Sequence, residues 1–171
     1  QIRDIKVIAS KLTAGDVRKL YSGENPKKNN NVELVVNGTF ASNITGWTET
    51  AGTVSHDTGG DGGRIKVEGT SSGIGRSQNN VVIATIIGER YTFSVGVPGS
   101  TGYHFVHLGT TAGDANIKAN LSLNGASGTY TYSFTATATT FWIQLGSSNS
   151  SVNYYDDVSL VEATTLVDFN P

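Results

Sequence analysis

Tyr91-Thr92-Phe93-Ser94-Val95-Gly96-Val97 decides the fold class. Tyr91, Phe93, Val95 and Val97 occupy one side of an extended chain, and Thr92, Ser94 and Gly96 the other. A period of two with one apolar side is the pattern of a strand that covers a core and shows its second face to water. The same alternation recurs downstream. Ile117, Ala119, Leu121 and Leu123 oppose Lys118, Asn120 and Ser122, while Tyr130, Tyr132 and Phe134 oppose Thr131, Ser133 and Thr135. Strand signals separated by Gly, Asn and Ser clusters predict strands over 63–68, 79–86, 89–97, 102–109, 116–124, 129–137, 140–146 and 153–162. Roughly eight strands in about 130 residues predict an all-β, antiparallel β-sandwich of the jelly-roll kind.

The amino-terminal part reads differently. Ile2, Ile5, Val7 and Ile8 form a short strand-like stretch. Thr13 stands as N-cap to a short helix with Asp16 in capping-box spacing, and Val17, Leu20 and Tyr21 share its apolar face. Residues 22–31 are polar and contain a proline, which predicts a linker. The expected organisation is therefore a strand-helix extension over 1–22, a linker over 23–31, the sandwich over 32–162 and a further linker over 163–171.

Composition narrows the function. The chain has 171 residues, 12 basic and 14 acidic, for a net charge of −2. That balance argues against nucleic acid or an anionic membrane as partner. No apolar run reaches the ~20 residues of a bilayer span, so membrane insertion is not expected. The absence of Cys removes disulfides and thiolate metal sites. With no Met at all, the chain reads as processed or as a piece of a longer polypeptide.

Two segments carry a resemblance. Residues 33–47 read Glu-Leu-Val-Val-Asn-Gly-Thr-Phe-Ala-Ser-Asn-Ile-Thr-Gly-Trp, and residues 154–160 read Tyr-Tyr-Asp-Asp-Val-Ser-Leu. Together they resemble the two ends of jelly-roll carbohydrate-binding modules, which open on Asn-Gly-x-Phe and Gly-Trp and close on Tyr-x-Asp-Asp-Val-x-Leu. The resemblance spans roughly residues 32–162. It implies a non-catalytic module with a glycan as partner, and it places Trp47 in the core. The stretch Leu12-Thr13-Ala14-Gly15-Asp16-Val17-Arg18-Lys19-Leu20-Tyr21 resembles the closing segment of concanavalin- or laminin-G-like domains. Such tandem architectures occur in bacteriophage tail-fibre and virion proteins. This second resemblance implies a virion-surface or extracellular location, neighbouring modules or virion subunits as partners, and assembly as a homo-oligomer. Two alternatives stay open: a structural spacer or decoration module with no glycan ligand, and an ancillary module of a secreted polysaccharide-degrading enzyme.

Residue chemistry favours binding over catalysis. The three histidines are His56, His104 and His107, and no Gly-x-Ser-x-Gly elbow is present. His104 and His107, three apart on one strand, face opposite ways. Glycoside hydrolysis needs two carboxylates flanking a cleft, and no pair among the 14 acidic residues is singled out.

A sugar site needs an aromatic platform and a few placed amides or hydroxyls. On 140–146 the core set is Phe141, Ile143 and Leu145, which turns Trp142 and Gln144 to the second face. On 102–109, Val106 and Leu108 read as core, turning Tyr103, Phe105 and His107 outward. The opposite parity, with Tyr103 and Phe105 inside and His104 exposed, also fits the residues. On the last strand Val158 and Leu160 read as core, which turns Tyr155 and Asp157 outward and gives Asp156 core parity. The expected carbohydrate contacts are Trp142 and Tyr103 as stacking platforms and Gln144, Asn120 and His107 as hydrogen-bonding groups, with Phe105 and Tyr155 as further contacts.

The resemblance also implies a structural Ca²⁺ between the opening turn and the last strand. Asn37, Thr39, Asp156 and Asp157 stand at the matching positions, and such hard oxygen donors suit Ca²⁺. One carboxylate of the family pattern is missing, because Ala41 stands where a Glu is usual.

Overall fold

A computed structural model describes residues 32–59, 62–100, 102–122 and 127–163. The expected strand, helix and linker over 1–31, and the tail after Ala163, lie outside the described residues. The described residues contain eleven strands and no helix. They are β1 (Trp47–Ala51), β2 (Thr53–Asp57), β3 (Arg64–Glu68), β4 (Gly75–Asn79), β5 (Ile83–Ala84), β6 (Arg90–Ser100), β7 (His104–Gly109), β8 (Lys118–Ser122), β9 (Gly128–Thr135), β10 (Thr140–Ser147) and β11 (Val152–Glu162). One sheet has the order β1-β4-β10-β7-β8, with β5 also on β10; the other has the order β2-β3-β11-β6-β9. Every pairing is antiparallel. The fold is the expected jelly-roll β-sandwich.

Alternation builds the core. Tyr91, Phe93, Val95 and Val97 of β6 are all buried, as are Val106 and Leu108 of β7 and Phe141, Ile143 and Leu145 of β10. Phe134 of β9 stacks on Phe141 of the other sheet with ring centroids 4.9 Å apart, and on Tyr91 at 5.9 Å. Burying each such ring contributes about 1.5–3 kcal/mol. Trp47 lies in the core, edge-on to Phe40 at 5.4 Å, as the resemblance implied.

Two expectations about strands are corrected. The predicted strand 79–86 is the end of β4, a loop and the two-residue β5. Its apolar run misled: Val81 and Val82 are exposed and only Ile83 reaches the core. The strand that precedes it, Gly75-Arg76-Ser77-Gln78-Asn79, has no apolar residue, so its alternation is silent. Its core-side positions are Gly75, Ser77 and Asn79, all buried. Asn79 satisfies itself there, accepting from the Ile143 amide (2.6 Å) and donating to the Val81 carbonyl (2.7 Å). The short strands β1 and β2 were likewise absent from the expectation.

The second correction concerns β11. Asp156 pairs with Gly96 and Ser159 with Ser94, so three steps on β11 answer two on β6. The extra residue makes a bulge, with Asp157 in the left-handed region (φ 46°). Parity therefore changes mid-strand. Tyr155 and Val158 both enter the core, three residues apart, and Asp156 faces outward, half-buried. The opening turn holds the bulge. Val158 donates to the Gly38 carbonyl (2.9 Å), and a Cβ on Gly38 would lie 1.8 Å from the Val158 carbonyl oxygen, so only glycine fits. The Glu33 carboxylate accepts from the amides of Val35 (2.8 Å) and Leu160 (2.9 Å) and from the Ser159 hydroxyl.

Candidate functional site

Residues paired directly across antiparallel strands share a face. On the outer face of the six-stranded sheet this builds three rows. Trp142 pairs with Gly109. Gln144 lies between Gln78 and His107, and Gly146 between Arg76 and Phe105. Trp142, Gln144, Phe105 and His107 are thus brought together as expected, and Tyr103 continues the line. Arg76 and Gln78 belong to the same face; they were missed because β4 shows no apolar period.

The face is floored with rings. Phe105 lies 4.7 Å from the His107 ring and 6.3 Å from that of Tyr103. Gly146 makes this possible: a Cβ there would stand 2.1 Å from the Phe105 ring, so the ring lies flat across the bare backbone of β10. The Arg76 guanidinium carbon sits 5.9 Å from the Phe105 centroid. Phe105 is consequently only 5% exposed, whereas Tyr103 is 45% exposed and Trp142 intermediate. Beside Trp142, the loop after β7 brings the Asp114 carbonyl to 2.4 Å from where a Gly109 Cβ would point, a wall at that end of the face.

The polar groups here are underused by the protein. Gln144 is 4% exposed, and its buried Oε1 has no partner among the described residues. The buried Nε of Arg76 has none either. No hydrogen bond joins either side chain, or the Trp142 indole N–H, to another described residue. Buried polar groups are ordinarily paired; Arg64 Nε, Ser77 Oγ, His104 Nε2 and Asn153 Oδ1 are the other unpaired buried atoms among the described residues.

Tyr155 is a correction. It is fully buried under this face and contacts no outer surface. Its hydroxyl donates to the carbonyls of Phe105 (3.2 Å) and Gly146, tying together the two strands that carry the floor. Burial pushes its phenol well above the ordinary tyrosine range. His104 stands edge-on to it at 6.4 Å, buried, so Tyr103 and Phe105 take the outward parity and His104 the inward one. Burial lowers the His104 pKa, opposed by the Gly102 carbonyl that Nδ1 faces at 3.4 Å. Asn120 lies on β8, but its side chain lies outside the described residues.

At the opening turn, Asn37 uses its amide N–H₂ locally. It donates to the carbonyls of Asn43 and Thr45, both at 2.9 Å. Thr39 and Asp157 are exposed. Burial raises the Asp156 pKa, and the neighbouring Asp157 charge raises it further. Asp156 and Asp157 are the two carboxylates at this place; among the described residues no three His, Cys, Asp or Glu converge on a metal position.

No family model matches the chain, and no curated protein matches it in sequence. Solved structures do match in shape. A family 16 carbohydrate-binding module superposes with a TM-score of 0.58 at 19% identity, over 75% of this chain and 99% of that one. The xylan-binding CBM22-1 domain of Paenibacillus barcinonensis Xyn10C gives 0.53 at 11% identity, over 75% and 93%. The enzymatically active domain of bacteriophage CBA120 tailspike protein 4 gives 0.53 at 14% identity, over 77% of this chain but 22% of that one. Among the described residues no helix is long and apolar enough to cross a membrane. The chain thus has the jelly-roll fold of carbohydrate-binding modules, with an aromatic and amide-lined face on its six-stranded sheet.

Proposed function

We propose that this chain is a non-catalytic glycan-binding module whose ligand lies on the outer face of the six-stranded sheet. The observation that carries the reading is the row structure of that face. The rings of Tyr103, Phe105 and Trp142 share it with Gln144, Gln78 and His107, and the buried Oε1 of Gln144 has no partner among the described residues. Aromatic faces pack on the C–H side of a sugar ring. The amides and the Trp142 N–H then fix its hydroxyls. Affinity per site is modest, and avidity from repeated copies supplies the rest.

The phage resemblance in residues 12–21 and the fold shared with part of a tailspike support a virion-surface location, with host glycan as ligand and neighbouring virion subunits as further partners. A structural Ca²⁺ belongs to the same reading. Asp156 and Asp157 supply its charge, with Asn37 and Thr39 at the adjoining turn, and the cation relieves the repulsion between the paired carboxylates.

The test is a glycan array with the purified chain, in Ca²⁺ and in chelator, beside Trp142→Ala. Signal lost in the folded variant is the expected result, with a lower Tm in chelator. A blank array from a folded, multivalent preparation removes the glycan-binding reading for the sugars displayed.

A further inference from the structure

We propose that the sugar held on this face is acidic, with a carboxylate paired to Arg76; the proposal rests on the glycan-binding reading above. Arg76 points outward from β4, sharing a row with Gly146 and Phe105. Its guanidinium lies over the edge of the aromatic floor, yet it has neither an ion pair nor a hydrogen bond to any described residue. The other positive side chains near acidic ones are paired on the opposite sheet, Arg64 with Asp57 (3.3 Å) and Lys66 with Glu68 (2.9 Å). Around Arg76 the rows hold Thr48, Gln78, Gln144, His107 and Phe105, with Ala51 paired to Arg76 itself; the exposed Glu49, beside the bulge on β1, accepts from the Val54 amide (2.9 Å). Asp114 stands at the Trp142 end and accepts from the Thr111 hydroxyl.

Arg76 is half-buried with its Nε closed to solvent, so a planar, bidentate acceptor is met by its two terminal nitrogens. A carboxylate matches that geometry, and a sugar hydroxyl matches only half of it. Gln144, one row away, is 4% exposed with its Oε1 closed to solvent, so it reaches a hydroxyl of the same sugar only by turning outward. Arg76 thus selects for a uronic-acid unit, and the exposed Tyr103 ring, backed by Phe105, packs on it.

The experiment is affinity gel electrophoresis with polygalacturonate, alginate and hyaluronan, each beside its carboxyl-reduced neutral counterpart. Dextran sulfate serves as a polyanion without carboxylates. The expected result is retardation by at least one polyuronate, weakened tenfold or more by carboxyl reduction and by Arg76→Gln, and in part retained by Arg76→Lys. Added salt weakens the binding. Should Arg76→Gln fail to fold, the parent and reduced polymers still decide the matter with the unaltered chain. Equal retardation by parent and reduced polymers, abolished by Trp142→Ala, overturns the acidic-sugar proposal and leaves the glycan reading standing. Retardation by dextran sulfate as strong as by any polyuronate, and indifferent to Trp142, reduces the effect to charge and overturns the proposal. A blank with both members of every pair overturns the acidic-sugar proposal, and the glycan array alone then decides the glycan reading.

Discussion

Gly146 and Tyr155 set the floor of the candidate site from beneath. Gly146 leaves room for the Phe105 ring to lie across β10, and the Tyr155 hydroxyl fastens the carbonyls of both residues from the core side. A methyl at position 146 would meet the ring at 2.1 Å, so the ring must turn or the strand must shift. Overpacking of this kind costs about 1–3 kcal/mol. Gly146→Ala is expected to lower Tm and to weaken glycan binding together. In Gly146→Ala/Phe105→Ala the overpacking term disappears, so its Tm loss is expected to be smaller than the sum of the two single losses, while binding stays weak. Thermal denaturation by circular dichroism, with binding measured on the same four proteins, checks this. Additive Tm losses would show that the two residues do not press on each other.

Among the elements, β11 is where local pattern and tertiary structure diverge. Its bulge depends on the opening turn, through the Gly38 carbonyl and the Glu33 carboxylate. Glu33→Gln keeps the size and one acceptor but loses the charge that receives two amides and a hydroxyl. The site is exposed, so the expected cost is about 1 kcal/mol, read as a lower urea midpoint with an unchanged m-value. An unchanged midpoint would mean that Gly38 alone holds the bulge. The same bulge explains what was legible beforehand. Strands β6 and β9 alternate apolar and polar residues, and in β10 Phe141, Ile143 and Leu145 set the core side, so their faces were assigned from sequence, including Trp142 and Gln144 outward. In β11 the pattern was read back from Val158 and Leu160 through a residue that belongs to neither face, which put Tyr155 on the wrong side. In β4 the core positions are Gly, Ser and Asn, and their burial comes from hydrogen bonds and close approach rather than hydrophobicity. Arg76 and Gln78 were invisible for that reason, although they flank Gln144 and Gly146.

At the scale of the whole molecule, each sheet is organised around a strand from the end of the chain, β10 in one and β11 in the other. Their partners come from much earlier in the sequence, so the core and the binding face close only when distant segments have paired. His104 sits where the sheets meet, against Tyr155 of β11, and this makes the assembled sandwich sensitive to pH. Burial lowers its folded pKa below the ordinary 6.5. Between those two values the unfolded chain takes up a proton that the folded chain refuses. Stability is therefore fully present above about pH 6.5 and declines as pH falls through that value toward the folded pKa. Two carboxylates act lower down. The Gly59 amide lowers the Asp57 pKa, so its contribution is lost only as pH falls below the ordinary 3.8 and through its folded value. Asp156 has the opposite sign: burial raises its pKa, so its protonation favours the fold as pH falls through that raised value. His104 should accordingly carry a decline in Tm between pH 7 and 5. His104→Gln, which cannot take up the proton, is expected to flatten that decline while lowering Tm at pH 7.5 through lost packing on Tyr155. Tm measured by circular dichroism at half-unit intervals decides it, and parallel curves for the two proteins would show that the acid sensitivity arises elsewhere.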